Sequence, residues 1–188
     1  MKGLILGFLV LALIASCSTE KHHNACNNDK TKVRNWKTDI SETLKVFGHR
    51  NWIVIADAAY PQQSNPAIQT ITIDANQLEA VEFVNQLIDE ARHVDANIFI
   101  DKEMAFVPEE NASGIESYRK ALHQILEGEN VKTLLHEDII RELDASAKLF
   151  NVLIIKTDLA IPYTSVFFQL ECGYWNGEAE KELRNTIK

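Results

Sequence analysis

The sequence is poor in the residues that mark specialised folds. Its 188 residues hold 7 glycines, 4 prolines and 3 cysteines. Such counts exclude collagen-like repeats, a disulfide-built scaffold and a disordered low-complexity chain. Positive charge is also short, with 19 basic against 27 acidic residues and a net charge of −8. No basic run offers a track for a nucleic-acid backbone. No Gly-x-Gly-x-x-Gly and no Gly-x-Ser-x-Gly occurs, and the stretch from Gly128 to Thr133 lacks the glycine a phosphate loop needs before Lys132. What remains is length enough for one domain with a real core.

The longest apolar run is Leu4 to Ala15, behind Lys2. Twelve residues at about 1.5 Å each reach about 18 Å, short of the roughly 30 Å hydrocarbon layer. One cation, a short apolar stretch and small residues at its end read as a secretory signal peptide over residues 1–16. Leu13-Ile14-Ala15-Ser16-Cys17 resembles the bacterial lipobox, which implies lipidation of Cys17, a membrane anchor and an exported lipoprotein, periplasmic or outer-membrane associated. Loss of residues 1–16 removes Lys2 and no acid, leaving 18 basic and 27 acidic residues, net −9. Residues 17–35 read as the lipidated cysteine and a polar tether. His22, His23 and Cys26 on that tether are a weak basis for a metal site.

From residue 36 to 188 helical and strand patterns alternate. Asp39 and Glu42 suggest a capping box, so about Ile40 to Phe47 reads as a short helix stopped at Gly48. Trp52 to Ala56 is an unbroken apolar run, as in a strand buried on both faces. Ile68 to Ile73 is a second strand, and Asp74 a candidate cap for the helix that follows. Further strands are read at Asn97 to Asp101, Val131 to Leu135, Val152 to Ile155 and Val166 to Leu170. Helices carrying apolar residues three and four apart lie between several of them. The expectation is a single three-layer α/β domain with a mostly parallel sheet.

In such sheets ligands bind beyond the carboxyl ends of the strands. Asp57, His136 and the Lys156-Thr157-Asp158 stretch fall at such ends, and His49 lies in the loop before the first strand. Glu171 and Glu178 as a glycosidase pair with Asp57 have nothing to fix their separation. Tyr174 and Trp175 suit subunit packing better than sugar stacking.

Gly48-His49-Arg50-Asn51, the apolar strand, then Asp57-Ala58-Ala59-Tyr60-Pro61 resembles the N-terminal signature of the D-ribose pyranase / L-fucose mutarotase (RbsD/FucU-like) family. Leu135-His136-Glu137-Asp138 resembles its Thr-His-Glu segment. Lys156-Thr157-Asp158 with Pro162-Tyr163-Thr164-Ser165 resembles its Arg-Thr-Gly-Glu and Pro-Tyr-Ala-Asn stretch. Ala59, Asp158-Leu159 and Ser165 depart from the pattern. The resemblance implies interconversion of the cyclic forms of a monosaccharide, with His49 as proton donor. It implies that Asp57 orients His49 or contacts the sugar, with further sugar contacts from His136, Lys156, Tyr163 and Ser165 and no cofactor or metal, in a ring-shaped homo-oligomer whose sugar cup is shared between subunits. The alternative is a sugar-binding lipoprotein that has lost catalysis. An imidazole, with its ordinary pKa of about 6.5, suits either proton role in opening a hemiacetal.

Overall fold

The five residues of β1 (Trp52–Ala56) are all buried. An unbroken apolar strand can satisfy its polar backbone only between two neighbours, so it takes the interior of the sheet. In the computed structural model, which describes residues 35–187, β1 lies between β5 (Val152–Lys156) and β6 (Val166–Cys172). It pairs parallel with β5, Trp52 opposite Val152 and Ala56 opposite Lys156. Its pairing with β6 is antiparallel, Ile55 opposite Val166. With β2 (Ile68–Thr72), β3 (Val94–Asp101) and β4 (Val131–Leu134) the sheet has six strands, ordered β2-β5-β1-β6-β3-β4. Only β6 runs against the others. A parallel return needs a crossover of a dozen or more residues, and residues 157–165 form none. The largely parallel α/β sheet expected from the sequence is present.

Alternate side chains of the sheet point to opposite layers. Ile53, Ile55, Leu153, Ile155 and Phe168 join the core beneath α1 (Trp36–Val46), α2 (Gln77–Glu90) and α3 (Ile115–Ile125). Trp52, Val54, Ile154 and Phe167 face the other way, onto Ile139 and Leu143 of α4 (His136–Ser146). Each such aliphatic side chain, fully buried, contributes about 1.5–3 kcal/mol. Trp52 stacks on Phe99 with centroids 5.6 Å apart, tying β1 to β3 across β6.

Three local expectations are corrected. α1 begins a turn earlier than Ile40, because Asn35 accepts a hydrogen bond from the Lys37 amide and Trp36 packs edge-on against Phe83 at 5.2 Å. Asp39 therefore lies in the first turn, not at the cap. Asn76, not Asp74, caps α2 through the Leu78 amide. In the turn after α1 the left-handed residue is Arg50, at φ 77°, rather than Gly48. A ten-residue helix absent from the sequence reading, α5 (Gly177–Thr186), follows β6 and buries none of its residues. The signal segment, Cys17, His22, His23 and Cys26 lie outside the described residues.

Candidate active site

The polar side chains gather where the sequence rule places them, at the carboxyl ends of the parallel strands. Asp57 follows β1. Its Oδ1 accepts the Ala59 amide at 2.8 Å, the short-range bond that makes aspartate a turn former. Its Oδ2 accepts from Ser165 Oγ at 3.3 Å. Ser165 is buried and precedes β6, whose antiparallel direction brings its first residue to this end.

His136 opens α4. Its backbone amide donates to the Glu103 carboxylate at 3.2 and 3.1 Å, so an acid from another segment caps the helix. Its Nδ1 lies 3.1 Å from Oδ1 of Asp101, the last residue of β3. Asp101 is only 2% exposed, and its Oδ2 finds no hydrogen-bond partner among the described residues. Burial pushes its pKa up to about 6, against the lowering influence of His136 and with smaller raising contributions from Glu103 and Asp57. The carboxylate holds the imidazole by Nδ1, which leaves Nε2 as the nitrogen for acid or base work.

Tyr163 stands edge-on to His136 with ring centroids 6.1 Å apart, and it is 41% exposed. Its φ of 59° is an uncommon conformation for a tyrosine and needs outside support. A buried network supplies it. Gln77 Nε2 donates to Tyr118 Oη at 2.9 Å and to the Thr164 carbonyl at 2.6 Å. Tyr118 Oη donates to the same carbonyl at 2.8 Å, and Thr157 Oγ1 donates to Gln77 Oε1 at 2.9 Å. Both ends of the 157–165 loop are thereby tied to α2 and α3. Lys156, opposite Ala56 in the register, ends β5 at the same edge of the sheet.

His49 is elsewhere. It precedes β1, whereas Asp57 follows it, and the strand between them spans about 13 Å. At that opposite end His49 Nδ1 lies 2.9 Å from Glu171 Oε2 of β6, and Arg50 Nε donates to His49 Nε2 at 3.0 Å. These two contacts fit a neutral ring with its proton on Nδ1. Asn97 Nδ2 holds the other Glu171 oxygen at 3.1 Å. The structure thus joins Asp57, Ser165, His136 and Tyr163 in one cluster, with Lys156 at its edge, and keeps His49 out of it within a single chain.

Among the described residues no group of three or more His, Cys, Asp or Glu is arranged to hold a metal ion, and no helix is long and apolar enough to cross a membrane. Against known families, residues 30–173 match the RbsD / FucU transport protein family. The chain belongs to that family. The fold agrees with the structure of Bacillus subtilis RbsD complexed with D-ribose, at a TM-score of 0.53 and 15% identity over 74% of this chain and 94% of that one. The fucose mutarotase from Streptococcus pneumoniae in complex with L-fucose is 24% identical, with a TM-score of 0.48 over 70% and 89% of the two chains. No curated protein matches in sequence. In this RbsD/FucU chain two acids take roles that the sequence does not assign them. Asp101 is legible by the strand-end rule that finds Asp57. Glu171 has no local signal, because only the antiparallel β6 carries it to His49.

Proposed function

We propose that the protein opens and recloses the hemiacetal ring of a monosaccharide, ribose- or fucose-like, and so interconverts its cyclic forms. The observation that carries this reading is the pairing of Asp57 with Ser165 beside Asp101–His136 and Tyr163, in a chain of the RbsD/FucU family. Two solved structures similar to this chain hold D-ribose and L-fucose.

Ring opening breaks the bond between the anomeric carbon and the ring oxygen. One group gives a proton to that oxygen while another takes the proton of the anomeric hydroxyl, and a carbonyl forms. Reclosure runs the transfers backward, so the catalyst ends as it began. Asp57 and Ser165 accept and donate hydrogen bonds to sugar hydroxyls, Lys156 and Tyr163 close the rim, and His136 presents Nε2. His49 serves as the proton donor, delivered by a neighbouring copy in a homo-oligomeric ring. Its place at the far end of β1 supports that division, since only a second chain brings it to the cup. For that task Nε2 must lose the Arg50 hydrogen bond and take up a proton from solvent, which it then gives to the ring oxygen. No cofactor is needed for this chemistry.

Cys17 is the proposed lipid site, and the mature chain works outside the cytoplasm, in the periplasm or at the outer membrane. Its net −9 adds no attraction to anionic lipid, so the anchor alone holds it there. Binding without ring opening is the second reading, favoured by Ala59, Leu159 and Ser165 where the family pattern differs. Proton NMR saturation transfer between the anomeric signals of ribose, fucose and galactose separates them. Exchange accelerated by the protein and lost in His49→Ala supports the isomerase. Sugar binding by calorimetry without acceleration supports the binding protein.

A further inference from the structure

Helix α5 has no reason of its own to be stable. It has ten residues, below the roughly 12–15 at which an isolated helix becomes even marginal in water, and none is buried. Yet Ala179 and Leu183 lie four apart on one face of the helix, and Trp175 before its cap and Ile187 after its last turn extend them to an apolar stripe of four. Trp175 is 45%, Leu183 44% and Ile187 67% exposed. Asn176 caps the helix through the Ala179 amide, and Trp175 Nε1 donates to Glu180 Oε2 at 2.8 Å, which fixes the indole beside the stripe. This segment lies beyond the 30–173 region matched to the family.

A receptor of the right kind exists on the other side of the molecule. Between the 3₁₀ turn Lys102–Phe106, α3 and the edge strand β4 lies a cavity of about 420 Å³. Ile100, Met104, Leu122, Leu126 and Val131 line it, and Phe106, 75% exposed, stands at its mouth. Lys102, Arg119 and His123 border it, with Asp101 the one acid in its lining. α5 carries Glu178, Glu180 and Glu182 against Lys181 and Arg184, so its charge complements that border. The same acidity argues against a lipid surface, which favours basic amphipathic helices.

We infer that α5 of one copy docks its Trp175–Ile187 stripe into the Phe106 groove of a second copy. Within one chain α5 does not line that groove. α5 follows Cys172, which pairs with Val94 at the start of β3, whereas the 3₁₀ turn follows Asp101 at the end, about 23 Å further on. Helix in one copy and groove in the next make a head-to-tail contact, which propagates into a ring or filament. The groove also touches the candidate site, because Asp101 both lines it and holds His136. The inference stands on α5 and the groove alone and does not depend on any sugar chemistry.

Size-exclusion chromatography with light scattering on the purified full chain tests it. The wild type runs as an oligomer. Leu183→Asp and Phe106→Asp, both at exposed positions that leave the core intact, each run at the mass of one chain with unchanged circular dichroism. Mixed together, the two variants form a dimer, because the intact helix of Phe106→Asp fits the intact groove of Leu183→Asp. A monomeric wild type, single variants of wild-type size, or a mixture that stays monomeric overturns the inference. So does a wild-type monomer that cosediments with phosphatidylglycerol vesicles through Leu183.

Discussion

Asp101 and His136 are brought within 3.1 Å by two elements that share no local sequence, the end of β3 and the first residue of α4. The carboxylate is buried, its second oxygen lacks a partner among the described residues, and its pKa is raised to about 6. Orienting an imidazole this way costs stability, because a charge is held where water cannot reach it.

That cost has a direction in pH. The unfolded carboxyl loses its proton near 3.8 and the folded one near 6. Between these values the native state binds more protons, so stability falls as pH rises, by about 3 kcal/mol across the window. Asp101→Asn is neutral throughout. Urea unfolding at pH 4 and pH 8 should show the variant close to wild type at the lower pH. At the higher pH it should be more stable by as much as about 3 kcal/mol.

Gln77 satisfies three groups around the 157–165 loop. Gln77→Leu leaves the Thr157 hydroxyl with the Ala56 carbonyl alone and takes one donor each from the Thr164 carbonyl and Tyr118 Oη, at a cost of about 1–3 kcal/mol. Urea unfolding measures the loss, and sugar affinity should fall with it because Tyr163 loses its support.

Tyr163 is exposed, so its hydroxyl matters to ligand rather than to fold. Tyr163→Phe should leave the thermal midpoint unchanged. Calorimetry with the responding sugar should show affinity weaker by about 5- to 10-fold, the worth of one hydrogen bond.

Gly173 leaves no room for a side chain, since a Cβ there would lie 2.6 Å from the Val94 carbonyl oxygen. Gly173→Ala should force β3 and β6 apart at their shared end and cost about 1–3 kcal/mol by chemical denaturation. Gly177, where an added Cβ meets nothing within 4 Å, is the control. Gly177→Ala should be neutral or slightly stabilising.

The strands were legible because two-sided burial writes itself as an unbroken apolar run, as in Trp52–Ala56 and Val152–Ile155. Asp57 and His136 followed from their places at strand ends. Asp101 obeys the same rule and was passed over because it closes an apolar strand that reads as complete without it. Glu171 reaches His49 only through antiparallel pairing, which no local pattern announces. α5 escaped because its stripe has four residues and no core to report to. The separation of His49 from Asp57 was legible in principle: an extended five-residue strand lies between them, and its length forbids their meeting in one chain.

A sugar site completed by two chains makes subunit mixing decisive. His49→Ala and His136→Ala are each assayed by anomeric saturation transfer, then dissociated and reassembled together at equal amounts. Each variant alone should exchange sugar at the buffer rate. The mixture should recover about a quarter of wild-type exchange, the share of sites pairing an intact His49 with an intact cup. A mixture as slow as either variant, beside an active wild type, would refute a shared site, and a wild type that does not accelerate exchange at all would refute the isomerase.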